Sequence, residues 1–147
     1  RIGICGDIKH SRVAHSNIKL LTKLDHEIHI IAPNYFLDKA ELTKINKNLV
    51  FHKSLSKLPK LDVIMMLRVQ KERINRNAKI YINSFKKDFC LNSNHLKNKP
   101  FLMHPGPVNR NIEIDSKVLD EYSKSLILRQ VDMGVHLRMA CLDFILK

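Results

Sequence analysis

"LDVIMMLR", residues 61–68, is the most hydrophobic run of the chain, and its reading decides the fold class. It has the length of a strand, and its apolar residues are continuous rather than alternating. That is the pattern of a strand buried on both faces, as in a parallel sheet covered by helices. The segments around it agree. "RIGIC" (1–5) reads as a short buried strand, "EIHIIAP" (27–33) as a β-branched strand ended by proline, "LVFH" (49–52) as a short third strand and "FLMH" (101–104) as the last. Between the first two, "SRVAHSNIKLLTKL" (11–24) has helical spacing, with Ser11 as N-cap and Val13, Leu20, Leu21 and Leu24 as its apolar stripe. Asp25 ends that helix where a glycine would adopt the left-handed conformation more easily. Residues 35–47 read as weakly helical, 72–89 as helical and basic, and 123–147 as helical with an interruption near Gly134. Strands alternating with helices predict an α/β domain, a three-layer parallel sheet with helices on both faces.

At 147 residues the chain has the length of one domain. Its hydrophobic content of 44% beside 27% charged residues is that of an ordinary globular protein. No apolar run approaches the roughly 20 residues that span a bilayer, and no signal-peptide layout opens the chain. It opens instead on a strand-like stretch without an initiator Met, which is the expectation for a fragment whose N-terminal part has been removed. Cys5, Cys90 and Cys141 are odd in number and far apart, and they form neither a zinc ribbon nor a disulfide framework. A reducing compartment, the cytoplasm, is expected. The net charge of +12 raises nucleic acid as a partner, but the lysines are dispersed and aromatics for stacking are few, so no nucleic-acid partner is expected.

In a parallel sheet, ligands sit beyond the carboxyl ends of the strands. Three strands end in polar clusters there: "GDIKHSR", "RVQKER" and "HPGPVNR". Arg12 and Arg68 each offer a planar fork that fits a carboxylate or phosphate, so two of them on one edge suit a ligand with two acidic groups. Gln70, two residues after Arg68, points the same way if the strand persists, and adds a donor and an acceptor. Pro105 and Pro107 have no N–H, so "HPGP" presents mainly carbonyls, with Gly106 allowing close approach. Carbonyls there suit an amine, and an amine on a diacid describes an acidic amino acid. His104 is either an acid–base group or, the preferred reading, an anchor for its loop. "GICGDIKHS" is not a dinucleotide fingerprint, and His26 and His29, three apart on a strand, make a poor metal pair; no metal is expected.

"GDIKHSRVAHSN", "LRVQKER" and "MHPGPVNRNIEI", in this order and spacing, resemble the aspartate-binding domain of the aspartate carbamoyltransferase family, and "QVDMGVHLRMACL" resembles its closing helical region. The similarity runs over essentially the whole chain. It implies that residues 1–147 are the second domain of a two-domain enzyme whose first domain, absent here, binds carbamoyl phosphate. The amino group of L-aspartate attacks the carbamoyl carbon and phosphate leaves, giving N-carbamoyl-L-aspartate for pyrimidine synthesis without metal or organic cofactor. By the resemblance Arg12 and Arg68 hold the two carboxylates and Gln70 assists. Backbone groups of Pro105, Gly106 and Pro107 meet the carbamoyl group and the attacking nitrogen. Lys9 and Arg73 match positions near the domain-closing contacts.

Nothing here resembles the Ser-Thr-Arg-Thr phosphate loop of the family's first domain, so the fragment alone is expected to be inactive. The family is trimeric, shares each site between subunits, and packs its final helix across the missing domain. Three rivals stand against this reading: ornithine carbamoyltransferase, whose His-Cys-Leu-Pro loop is absent; a non-catalytic regulatory or nucleic-acid-binding domain using the basic surface; and a degenerate relative that binds but has lost the chemistry, against which the intact Arg12, Arg68, Gln70 and "HPGP" argue.

Overall fold

The computed structural model describes residues 1–73 and 78–147. Its strands are β1 (Ile2–Cys5), β2 (Ile28–Ile31), β3 (Val50–His52), β4 (Val63–Met66) and β5 (Phe101–Met103). Its helices are α1 (Arg12–Lys23), α2 (Lys39–Ile45), α3 (Ala78–Phe89), α4 (Ser116–Glu121) and α5 (Ile127–Leu146). All pairings are parallel, in the order β3-β2-β1-β4-β5. Of the helix expected over 72–89, residues 74–77 lie outside the described residues.

Strand pleating divides the core in two. Ile4 pairs with Ile30 and Met65, and all three face Ala14 and Ile18 of α1 and Leu42 of α2. The next rung, Cys5 with Ile31 and Met66, faces Phe85 and Phe89 of α3 and Val118 of α4. Helices therefore cover both faces, and β1, β2 and β4 have apolar residues pointing both ways. Each fully buried Ile or Phe of these layers contributes about 1.5–3 kcal/mol.

Two local expectations are corrected and one element is added. The buried stripe of α1 is Ala14 and Ile18, with Leu21 half-buried, whereas Val13, Leu20 and Leu24 are 38%, 55% and 57% exposed. Spacings of four and three put these residues on one helical face, and the small Ala14 lets α1 sit close to the sheet. Gly134 does not interrupt α5, which runs unbroken from Ile127 to Leu146, because one glycine weakens a helix by about 1 kcal/mol without stopping it. The six-residue α4, capped by Asp115 on the Lys117 N–H, was not anticipated. Ser11 caps α1 as expected, its Oγ accepting from the Ala14 N–H at 3.1 Å, and Asp25 takes the left-handed conformation at φ 57°.

His29 is buried in β2. Its Nδ1 lies 2.9 Å from His52 Nε2 and its Nε2 lies 2.9 Å from Glu27. Helix α5 is buried at Ile127 and then bare: Leu137, Leu142 and Phe144 are 66%, 59% and 85% exposed. Among the described residues, no helix is long and apolar enough to cross a membrane.

Gly6 joins the two central strands. At φ 134° it turns the chain off β1, and a Cβ there would lie 2.8 Å from the Leu67 carbonyl oxygen. The Leu67 N–H bonds the Cys5 carbonyl at 2.7 Å, so the backbone cannot recede. Gly6→Ala is expected to cost about 2–4 kcal/mol in urea unfolding, from strain and overpacking. Gly134→Ala, with nothing within 4 Å of the new methyl, is expected to stabilise by about 0.5–1 kcal/mol. Equal effects at both sites would contradict the packing described.

Candidate functional site

The strand order reverses direction between β1 and β4: the chain runs from β1 outward to β3, then crosses back to β4 on the other side. At such a switch point the loops beyond the two strands diverge and leave a crevice. Here it is a concavity of about 370 Å³. The loop after β1 and the start of α1 supply His10, Ser11, Arg12 and Val13. The segment after β4 supplies Arg68, Gln70 and Arg73, and the loop after β5 supplies Pro105, Gly106 and Pro107. The structure thus brings together seven of the nine residues singled out in the sequence.

Arg12 is the first residue of α1, exposed at a helix N-terminus whose first turn carries no acidic side chain. The guanidinium and the positive end of the helix act together in favour of an anion. Arg68 is two residues past the end of β4, so the loop and not the pleat aims it and Gln70 into the same space. Its end is paired with Glu72 through Nη1 at 2.6 Å and Nη2 at 3.1 Å. The Glu72 carboxyl lies below the usual range, through a bond to its own backbone N–H and then through Arg68. Two of the five guanidinium N–H donors are thereby used, and the Nε side is left for a ligand.

Gln70 and Arg73 are oriented by one acceptor. The His10 carbonyl receives Gln70 Nε2 and Arg73 Nη1, each at 2.9 Å. The Gln70 side-chain oxygen remains free of partners among the described residues. Lys9 is exposed and does not line the concavity; its backbone N–H bonds the Phe36 carbonyl at 2.9 Å.

The Pro-Gly-Pro loop is an acceptor surface. Its single N–H, on Gly106, is taken up by His104 Nδ1 at 2.9 Å, and the Gly106–Pro107 peptide is cis. Gly106 stands at φ 71°, in the left-handed region that favours glycine. His104 lies beneath this loop, 1% exposed and outside the concavity lining. Its backbone N–H donates to Gln130 Oε1 at 3.0 Å, and its Nε2 is buried without a partner among the described residues. Burial brings its pKa down to about 4, so the ring is neutral, with Nδ1 accepting and the proton on Nε2.

Two buried carboxylates, neither foreseen in the sequence, hold the three loops in register. Asp7 accepts from the backbone N–H of His10 at 3.2 Å, from its ring Nδ1 at 2.8 Å and from the Gln70 N–H at 3.4 Å, tying the loop after β1 to the one after β4. Glu113 accepts from the Val69 N–H at 2.7 Å, the Asn109 N–H at 2.7 Å and Asn109 Nδ2 at 2.6 Å, tying the segment after β4 to the one after β5. Burial pushes both carboxyls above their ordinary values, while the hydrogen bonds pull them back. The signal in the sequence was Glu113 flanked by Ile112 and Ile114: a charge inside an apolar triplet is a charge headed for the interior.

These contacts set the response to acid. With its pKa at about 4, His104 stays neutral between roughly pH 6.5 and 4, where an unfolded histidine binds a proton. Its contribution is therefore complete above pH 6.5 and is lost as pH falls towards 4. Asp7 and Glu113, raised, have the opposite sign and gain relative stability over the range just above their ordinary values. His104→Asn keeps an acceptor for Gly106 and removes the titration. The stability lost between pH 7 and 4.5 is expected to be about 2 kcal/mol smaller in His104→Asn; an identical loss would contradict the neutral buried ring. Glu113→Gln, which leaves at least one buried N–H facing an amide donor, is expected to cost about 2–3 kcal/mol in denaturant unfolding at pH 7.

Comparison with known proteins places the chain as a whole. Residues 1–145 match the family described as aspartate/ornithine carbamoyltransferase, Asp/Orn binding domain. The aspartate carbamoyltransferase catalytic subunit of Pelagibacter ubique is 43% identical over 145 residues, covering 97% of this chain and 46% of the relative. That of Parvibaculum lavamentivorans is 42% identical over 146 residues, covering 97% and 44%. The chain spans about half the length of the curated relatives it matches. Among solved structures, the catalytic subunit of M. jannaschii aspartate transcarbamoylase superposes with a TM-score of 0.83 at 26% identity, over 96% of this chain and 48% of that one. Aspartate transcarbamoylase from Trypanosoma cruzi, in complex with N-(phosphonacetyl)-L-aspartic acid, gives 0.77 at 27% identity over 96% and 47%. Ornithine carbamoyltransferase from Thermus thermophilus gives 0.80 at 15% identity over 99% and 48%, a likeness of fold alone.

Proposed function

The chain belongs to the aspartate/ornithine carbamoyltransferase family through its Asp/Orn binding domain, and we propose that it forms the L-aspartate-binding half of an aspartate carbamoyltransferase. The observation that carries this reading is the convergence of Arg12 and Arg68 beside a loop that offers only carbonyls. Arg12 receives one carboxylate of L-aspartate and Arg68, braced by Glu72, receives the other. Gln70 adds its side-chain oxygen, and Arg73 and Lys9 serve closure against the neighbouring domain. The α-amino group faces the carbonyls of Pro105, Gly106 and Pro107, which orient its hydrogens and leave the nitrogen lone pair directed at the carbamoyl carbon.

The amine nitrogen attacks that carbon, the new C–N bond forms, and the bond from carbon to the phosphate oxygen breaks. The leaving phosphate carries off the amine proton, since His104 is buried under the loop with its Nδ1 engaged. The protein's contribution is orientation and charge placement, without a covalent intermediate. Residues 1–147 constitute the aspartate domain. Carbamoyl phosphate is bound by a second domain corresponding to the other half of the relatives' length, and the bare face of α5 is where that domain packs. The complete enzyme works as a homotrimer in the cytoplasm, with no cofactor.

Ornithine is disfavoured by charge: its cationic side chain would meet Arg12 and Arg68, and the carboxylate of Glu72 is already paired. Assayed alone with carbamoyl phosphate and L-aspartate, the chain is expected to form no carbamoyl aspartate; product from the pure fragment would overturn the division of labour. Joined to the carbamoyl-phosphate-binding half of the Pelagibacter relative, it is expected to be active. Arg68→Ala in that joined enzyme is expected to lower kcat/KM on the order of 100-fold, the loss of a two-bond charged contact. A loss below threefold would remove Arg68 from the site.

A further inference from the structure

A second concavity, of about 380 Å³, lies at the opposite edge of the sheet, between the segment that leads into β4 and the one that leads into β5. Its floor is apolar. Leu55, Leu61 and Ile64 are buried members of the core on that face, and half-buried Leu58 joins them. Its rim carries two cationic side chains, Lys57 and Lys97, both exposed, beside the neutral polar groups of Ser56, Asn94, His95 and Asn98. Among the described residues, no carboxylate lines it. The two contributing stretches, residues 53–61 and 91–100, contain five lysines (53, 57, 60, 97 and 99) and no Asp or Glu. Among the described residues, neither Lys57 nor Lys97 takes part in an ion pair.

Two details bear on the rim. Lys57 stands at φ 60°, a left-handed conformation that a lysine adopts at a cost and that Gly or Asn would take more easily. His95 has its Nδ1 occupied by the Asn92 N–H at 3.2 Å, so the neutral ring carries its proton on Nε2 as a further donor.

From this arrangement we infer that the chain has a second binding site, for a small amphipathic organic anion. Its phosphate or carboxylate head lies between Lys57 and Lys97, and its apolar body lies on Leu58, Leu61 and Ile64. The volume falls at the small end of the range of about 300–1,000 Å³ that small-molecule sites occupy. Unpaired ammonium groups around an apolar floor provide both parts of the recognition, charge for the head and desolvation for the body. The site is separate from the arginine concavity, because its segments precede β4 and β5 whereas those of the arginine concavity follow them.

The test is a two-dimensional NMR titration of the labelled 147-residue chain with 1-naphthyl phosphate, 1-naphthoate, neutral 1-naphthol and inorganic phosphate. At least one naphthyl anion is expected to give saturable shifts at Leu58, Leu61, His95 and Lys97, with a midpoint below about 1 mM. Whichever anion binds identifies the head group. Naphthol and inorganic phosphate, each lacking half of the ligand, are expected to bind at least tenfold more weakly. Lys57→Gln and Lys97→Gln, surface changes that leave the core untouched, are each expected to raise the midpoint at least threefold. The inference is overturned if naphthol binds as well as the anions, if the double Gln variant binds unchanged, if the shifts fall only around Arg12 and Arg68, or if none of the four gives a saturable shift. L-aspartate added to the same sample reports on the arginine concavity independently.

Discussion

The side-by-side parallel pairing of β1 with β4 is the constraint from which the rest of this structure follows. These strands are separated by more than fifty residues of sequence, yet Cys5 and Leu67 share a 2.7 Å backbone hydrogen bond at their common end, and Gly6 is small enough to let them meet. With β2 and β3 built outward on one side and β5 on the other, the loops after β1, β4 and β5 must open next to one another. A crevice at that point is a consequence of topology before any side chain is chosen.

What makes the crevice a defined site is the pair of interior carboxylates. Asp7 and Glu113 each accept N–H groups from more than one loop, so the positions of Arg12, Gln70, Arg68 and the Pro-Gly-Pro turn are coupled through backbone rather than through long flexible side chains. Burying a carboxylate is costly unless its oxygens are satisfied, and the raised carboxyls register the residue of that cost. The same economy appears in the proline loop. Two residues that cannot donate and one whose donor is engaged internally leave a surface of acceptors, complementary to the donors that the arginines present across the concavity.

The strands were legible because fully buried parallel strands carry continuous β-branched or apolar runs, and "LDVIMMLR" and "EIHIIAP" are such runs. The edge location of Arg12, Arg68 and "HPGP" was legible for the same reason: strand ends predict a shared side of the sheet. Other features depend on partners remote in sequence. Glu113 meets Val69, 44 residues away, and Asp7 meets Gln70, 63 residues away, so the apolar flanks of Glu113 announce its burial but no local pattern announces the partner of either anchor. The stripe of α1 lies elsewhere because Val13, Leu20 and Leu24, seven and four apart, also share a helical face, and only the position of the sheet selects the face of Ala14, Ile18 and Leu21 instead. Helix α4, at six residues with Val118 as its buried contact, is too short to display a period.

The central claim is that two arginines and an acceptor loop at one switch point select an amino acid with two carboxylates. A two-dimensional NMR titration of the labelled chain, with L-aspartate and L-ornithine in parallel at equal ionic strength, tests it most directly. The account predicts saturable shifts around Arg12, Arg68, Gln70 and Gly106 with L-aspartate and none of comparable size with L-ornithine. Equal response to both amino acids, or aspartate shifts located away from these residues, would contradict it.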